Sequence, residues 1–249
     1  MQTLLVTSDY QIPYHDTLTL RAIHKLVKAL KPTYHEIDGD FFDFPALSVF
    51  EKKPAEKVGL AKDIRSGIEE LQRLRDLSPK TVTNLRFGNH EDRYDKYILR
   101  EAPALYQLPG HTLPEVLGLE KLKIGWSEYD TGTIYNGTFR VVHGTEVRQQ
   151  SGATAKAMFT KYGMSGVSGH THRLGTYYHT FPGTPEHPDK FYVWGENGCL
   201  CNLKPEWTQD PDWQQGFTVV YLLEGGRFHM QQIPIIDHKF VFEGELFTP

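Results

Sequence analysis

Residues 34–43 read YHEIDGDFFD, and this stretch decides the fold. Residues 34–38 form a short strand-like run, and Gly39-Asp40 stops it with a turn glycine and a carboxylate. The same pattern recurs on both sides. Residues 4–7 are an apolar run leading into Asp9, and residues 81–87 are a third run, broken by Gly88-Asn89. Between the first two runs, residues 18–30 carry Leu20, Ile23, Leu26, Val27 and Leu30 at helical spacing, with Pro32 just beyond. Between the second and third, from about Ala55 to Leu77, the positions Leu60, Ile64, Ile68, Leu71 and Leu74 mark a longer amphipathic helix. Strands and helices alternating in this order form parallel pairs joined by crossovers.

The second half has a different texture. Ile134 and residues 139–142, 165–168, 177–181, 191–194, 217–223 and 228–233 read as short strands, interrupted by one helix at about residues 150–162. Residues 182–215 are rich in Pro, Gly and Trp and read as an irregular excursion. No internal repeat or linker divides the 249 residues, a length that suits a single α/β domain. The expected class is therefore α/β with α+β character: one domain over residues 1–249, made of two packed, mostly-β mixed sheets flanked by helices.

Composition narrows the classes. A chain this long buries enough surface to fold without staples, and its two cysteines, Cys199 and Cys201, make no disulfide framework. They read as two small buried apolar residues in a reducing, cytoplasmic setting. The N-terminal apolar run is too short for a leader, and no stretch approaches the ~18 apolar residues of a membrane span. The formal charge of −4 disfavours general nucleic-acid binding, which needs Lys and Arg to neutralise phosphates, though a local basic groove stays open. The twelve histidines raise the question of where they gather.

They gather at strand ends. The first strand runs into Asp9, the second into Gly39-Asp40-Phe41-Phe42-Asp43, and the third into Gly88-Asn89-His90-Glu91. Two later strands run into His143-Gly144 and Gly169-His170-Thr171-His172. The carboxyl ends of parallel strands line one crevice, so these five groups of Asp, Asn and His are expected to converge there. Glycine beside four of them fits turns that bring backbone close to a ligand.

Order and spacing resemble the calcineurin-like metallophosphoesterase superfamily, whose pattern is D-x-H, GD-x-x-D, GNH-E/D, a lone H and GH-x-H. The resemblance covers Asp9 to His172, about two-thirds of the chain. It implies the calcineurin-like fold and a hydrolase that cleaves a phosphodiester or phosphomonoester. Two divalent ions would do this, with Mn²⁺ the first expectation and Fe, Zn, Ni, Co or Mg as alternatives. It assigns Asp9, Asp40 and His172 to one ion, and Asp40, Asn89, His143 and His170 to the other, with Asp40 bridging. The nucleophile it implies is a metal-bridging hydroxide. His90 is its general acid, and Asp43 orients His90 from the far ring nitrogen. The chain departs from the pattern once: Asp9-Tyr10-Gln11 replaces D-x-H. Gln11 either ligates through its amide oxygen or stands behind the ligands, and an oxygen donor there favours harder ions such as Mn²⁺ or Mg²⁺.

Weaker candidates carry two readings each. His15 faces the site or the solvent. Arg93 and Arg173 follow two of the motifs and read equally as phosphate clamps or as salt-bridge partners. Trp194, Trp207 and Trp213 read first as core, and otherwise as surfaces for a base or ring. The expected partner is a small phosphorylated substrate, a nucleotide among the candidates. Nucleic acid is less favoured, and no membrane partner is expected. The rival functions are a nuclease of the same superfamily and a catalytically weak module that binds a phosphorylated ligand. A protein phosphatase is disfavoured, because Phe44-Pro45 stands where those enzymes carry Arg-Gly. No G-x-S-x-G elbow, Walker loop or dinucleotide fingerprint occurs.

Overall fold

In the computed structural model, which describes residues 1–49, 59–106, 108–129, 131–205 and 210–249, the first half runs β1 (Gln2–Thr7), α1 (Thr17–Leu30), β2 (Tyr34–Asp38), α2 (Leu60–Leu77) and β3 (Val82–Arg86). It continues with α3 (Asp92–Glu101), the single turns α4 (Leu113–Val116) and α5 (Leu119–Leu122), and β4 (Gly125–Ser127). The second half runs β5 (Thr133–Tyr135), β6 (Phe139–Val141), α6 (Ala153–Tyr162), β7 (Ser165–Ser168), β8 (Leu174–Phe181) and β9 (Lys190–Asn197). It ends with β10 (Gly216–Leu222), β11 (Phe228–Pro234) and a hairpin of β12 (Phe240–Phe242) and β13 (Glu245–Phe247).

Two mixed sheets result. The first has the order β11-β10-β1-β2-β3-β4, with β1 to β4 parallel and β10 and β11 antiparallel to them. The second has the order β5-β6-β7-β9-β8, with a parallel centre of β6, β7 and β9 between two antiparallel edges.

Alternation along β1 explains the layering, since successive side chains of a strand point to opposite faces. Leu5 joins Leu20, Ile23, Leu26 and Val27 of α1 and Leu71 and Leu74 of α2 in one apolar cluster. Leu4 and Val6 face the other sheet, packing with Phe139 and Val141 of β6, Val167 of β7, and Val220 and Leu222 of β10. Full burial of such a side chain stabilises by ~1.5–3 kcal/mol, so β1 is pinned from both faces. On the outer face of the second sheet, Ala155, Met158 and Phe159 of α6 cover Val142 and Trp194. The expected class, packed mixed sheets flanked by helices, is the one observed.

Several boundaries differ. Strand β9 bears out the run expected at 191–194 and lengthens it to Lys190–Asn197, so regular pairing with β7 and β8 reaches into the stretch 182–215 read as irregular, and Trp194 is core. Helix α3 follows directly on the Gly88-Asn89 break, with Asp92 and Asp95 in its first turn and Tyr94 and Ile98 buried one turn apart. Helix α2 begins at Leu60; residues 55–58 of the longer helix expected there, and Trp207, lie outside the described residues. No helix among the described residues is long and apolar enough to cross a membrane.

Candidate metal centre

The loops leaving β1, β2, β3, β6 and β7 meet at one end of the two sheets, because all five strands point the same way. Backbone bonds knit them together. Asp9 N–H donates to Gly39 O at 3.0 Å, and Gln11 N–H to Asp40 O at 3.0 Å. Five residues at this end adopt left-handed backbone without being glycine: Asp9, Gln11, Asp40, His170 and His172, with φ between 48° and 71°. Such conformations cost of order 1 kcal/mol or more each and persist where the surroundings over-determine them. Glycine supplies the remaining room. A Cβ on Gly88 would stand 2.2 Å from Asp40 Oδ1, and one on Gly169 2.7 Å from Asp9 Oδ2.

Each of the seven candidate ligands lies in this cluster. Asp9, Gln11, Asp40, His143 and His172 are buried. Asp40 Oδ1 approaches His143 Nε2 at 3.3 Å, and Asp9 Oδ1 approaches His172 Nε2 at 3.1 Å. Two three-residue groups could each hold a cation: Asp40, His143 and His170 in one, and Asp9, Asp40 and His172 in the other. Asp40 belongs to both. Buried polar atoms are almost always hydrogen-bonded, yet Asp9 Oδ1, Gln11 Oε1, Asn89 Oδ1, His143 Nε2 and His170 Nδ1 have no hydrogen-bond partner. His143 donates from Nδ1 to the carbonyl of Asp38 at 2.6 Å, which fixes the ring's orientation and turns Nε2 toward Asp40.

Charge is balanced inside the cluster. Burial pushes the His143 imidazole down, but Asp40 beside it wins and holds its pKa up at about 10. His172 behaves alike, raised to about 10 by Asp9 and Cys201 against its burial. Burial acts to raise the Asp40 carboxyl, and His90 and His143 nonetheless hold it well below the usual range. His170 is lowered by burial and by the neighbouring His143.

His90 sits at the rim. Its Nδ1 donates to the backbone carbonyl of Asp43 at 2.9 Å, while the Asp43 carboxylate stays 3.8 Å away. The orienting contact expected of the Asp43 side chain is thus made by its main chain. Arg93 donates to His90 Nε2 at 3.1 Å and to Asp43 O at 2.8 Å, so it stands at the site. Arg173 is instead tied to Arg148 O at 2.7 Å and Asp212 O at 3.1 Å, where two loops hold it away from the candidate ligands. His15 pairs with Cys201 through a backbone bridge and does not line the cleft.

Two buried carboxylates to which the sequence reading gave no role knit the loops. Glu91 is buried and accepts from three main-chain N–H groups, Gly88 at 2.7 Å, Asp40 at 3.0 Å and Phe42 at 2.7 Å, which locks the β2 and β3 loops together. Burial and the Asp40 charge raise its pKa to about 7. Asp38 accepts from Arg86 Nε at 3.0 Å and from Gly169 N–H at 3.2 Å, joining the end of β2 to the end of β7. The cleft over the cluster has a volume of about 200 Å³, and Tyr14, Cys201, Asn202 and Trp213 complete its wall. Trp213 meets His172 edge-on, with ring centres 4.3 Å apart.

No family model matches the chain. Two relatives, each called Gene 54 protein, come from Mycobacterium phages D29 and L5. Both are 27% identical, and each match covers 98% of this chain and 97% of the relative. Among solved structures, zinc-complexed Vps29 from Entamoeba histolytica is similar at a TM-score of 0.48, with 10% identity over 98% of this chain and 95% of that one. Vps29 from Chaetomium thermophilum is similar at 0.47, with 11% identity over 95% of this chain and 87% of that one.

Proposed function

We propose that this chain is a dinuclear metal-dependent phosphoesterase of the calcineurin-like kind. The observation that carries the reading is the convergence of five buried ligand atoms that complete no hydrogen bond, from loops that the chain delivers separately, around a carboxylate common to two ligand groups. The donors are carboxylates, imidazoles and amide oxygens, a mixture suited to Mn²⁺ and its divalent neighbours. A pair of such ions supplies Lewis-acid polarisation of the ester and a water of lowered pKa.

The chain's own part is to position. Asp40 lies between the two groups and supplies the negative charge that two close cations need. Asp9 and His172 would serve one ion with it, and His143 and His170 the other, to which we also assign Asn89. His143 and His172 would have to give up a proton to hold a cation, so metal binding should release protons and strengthen as pH rises. His90, held by the Asp43 carbonyl through Nδ1–H, would give the leaving oxygen a proton first taken up at Nε2. Arg93 now contacts that nitrogen; a phosphate in the cleft gives its guanidinium a better partner and frees His90. A cleft of about 200 Å³ takes a phosphoryl group and leaves the rest of the substrate against Tyr14, Asn202 and Trp213. This favours a small phosphorylated substrate, a nucleotide included, over a long polymer.

The test is a metal-by-substrate screen with p-nitrophenyl phosphate and bis-p-nitrophenyl phosphate. Turnover should appear with Mn²⁺ and vanish with chelator, and the ratio of the two rates sets monoester against diester. Cations that bind without turnover of either ester would make the chain a binding module instead.

Gln11 gives a second expectation. Its Nε2 lies 3.2 Å from Asp40 Oδ2 and 3.4 Å from His172 Nε2, while Oε1 has no partner. The two ends of an amide are nearly equal in size, so half a turn places the oxygen where the Asp9 group converges. Gln11→His should then tighten Zn²⁺ or Co²⁺ at one of two sites by ~10–100-fold and change Mn²⁺ less. Competitive titration decides it, and identical affinities in both proteins would remove Gln11 from the ligand set.

A further inference from the structure

Cys199 and Cys201 fit the description of small buried residues, at 0% and 2% exposure, and both are free thiols. Their company is less ordinary. Cys201 Sγ lies 3.8 Å from His172 Nδ1, on the side of the ring opposite Asp9. One ligand atom from each of His172, Cys199 and Cys201 falls within 4.8 Å of the others. Ion–sulfur bonds of ~2.3 Å and ion–nitrogen bonds of ~2.0–2.1 Å in a tetrahedron set donor atoms ~3.6–3.8 Å apart. The sulfur–nitrogen separation is already of that length. Cys201 also lines the cleft, which gives an ion a route to the thiols. Cys199 Sγ–H lies 3.6 Å from Gln214 O, a weak contact that ligation would replace.

We propose that Cys199 Sγ, Cys201 Sγ and His172 Nδ1 form a soft-cation site for one thiophilic divalent ion of the Zn²⁺ class, behind the oxygen-rich centre. On binding, both thiols lose their protons, and the two thiolates and the ring nitrogen become the ligands. A neutral imidazole has a single lone pair to give. With the ion on Nδ1, the ring releases its Nδ1 proton to solvent and keeps the one on Nε2, which faces Asp9, so His172 offers no lone pair on that side. Occupation of the thiol site and ligation by His172 Nε2 therefore exclude one another, and thiophilic ions antagonise one of the two hard ions. The site stands whether or not the chain hydrolyses phosphoesters, since it shares only His172 with the centre proposed above.

The experiment is a titration of the reduced full chain with Cd²⁺, following sulfur-to-cadmium charge-transfer absorption in the ultraviolet, beside total metal content after desalting. Wild type should develop the band to saturation at one ion per chain, and Mn²⁺ should give none. Cys201→Ser and Cys199→Ser should each weaken the band-forming affinity at least ~10–100-fold, the effect typical of an outer-shell partner and a lower bound for a ligand. Asp40→Asn should keep the band while losing ions from the main centre, which separates failure of this site from failure of the phosphoesterase reading. As a readout needing no substitution, one equivalent of Cd²⁺ should protect both thiols of the native protein from a small alkylating agent. Absence of the band in wild type, or an unchanged band in Cys201→Ser, or thiols that alkylate equally fast with and without Cd²⁺, would overturn the proposal.

Discussion

Asp40→Asn should strip the protein of most of both cations and reduce turnover by at least ~10³-fold. The figure follows from the several kcal/mol that metal ions contribute to transition-state charge, at about 1.4 kcal/mol per factor of ten. The substitution keeps the shape of the side chain and removes its charge. Asp40 serves both ligand groups, so the loss is expected at both, whereas Asp9→Asn should deplete one. Asp40 Oδ1 also accepts from His90 N–H at 3.0 Å, a bond that the asparagine oxygen can keep, so the fold should survive. Metal content per chain and kcat with Mn²⁺ are the measurements. Two full equivalents of metal in Asp40→Asn would end the bridging assignment.

His90→Gln should keep its metals and lose ~10²–10⁴-fold in kcat, the range for a positioned acid. Alkyl esters should suffer more than nitrophenyl esters, whose leaving group hardly needs a proton; an equal loss on both would leave His90 a purely electrostatic role. The structure adds a contrast. His90 is oriented by the carbonyl of Asp43 at 2.9 Å and not by its carboxylate at 3.8 Å. Asp43→Asn should therefore cost only a few-fold, on the order of a single weak interaction. A loss as deep as that of His90→Gln would return the orienting role to the side chain.

What could be read from the sequence follows from how each residue reaches the site. Asp9, Asp40, Asn89, His143, His170 and His172 sit one to four residues past apolar runs, with glycine beside most of them, and parallel strands bring such ends together by construction. Tyr14, Cys201, Asn202 and Trp213 arrive through chain reversals that carry no period. Leu200 N–H reaches back to Asp9 O at 3.1 Å and Asn202 N–H to Tyr14 O at 2.9 Å, and such long-range bonds bring the Cys199–Asn202 segment to the cleft. The carbonyl of Asp43 could not be singled out, because every residue has one. Glu91 stood in plain view beside His90, but its three main-chain partners belong to two loops that meet only in the folded chain. Helix α3 was more accessible: Asp92 and Asp95 in its first turn and the Tyr94–Ile98 spacing are ordinary helix signals.

Gly88 touches Asp40 from behind, and any side chain there would strike the carboxylate whatever its chemistry. Gly169 stands in the same relation to Asp9. A lineage carrying this scaffold can therefore revise what faces the metals one letter at a time, trading imidazole for amide as at Gln11, and so retune which ion it prefers. The glycines offer no such latitude, because every alternative there fails for the same steric reason. Inheritance should hold most rigidly the positions that never meet an ion.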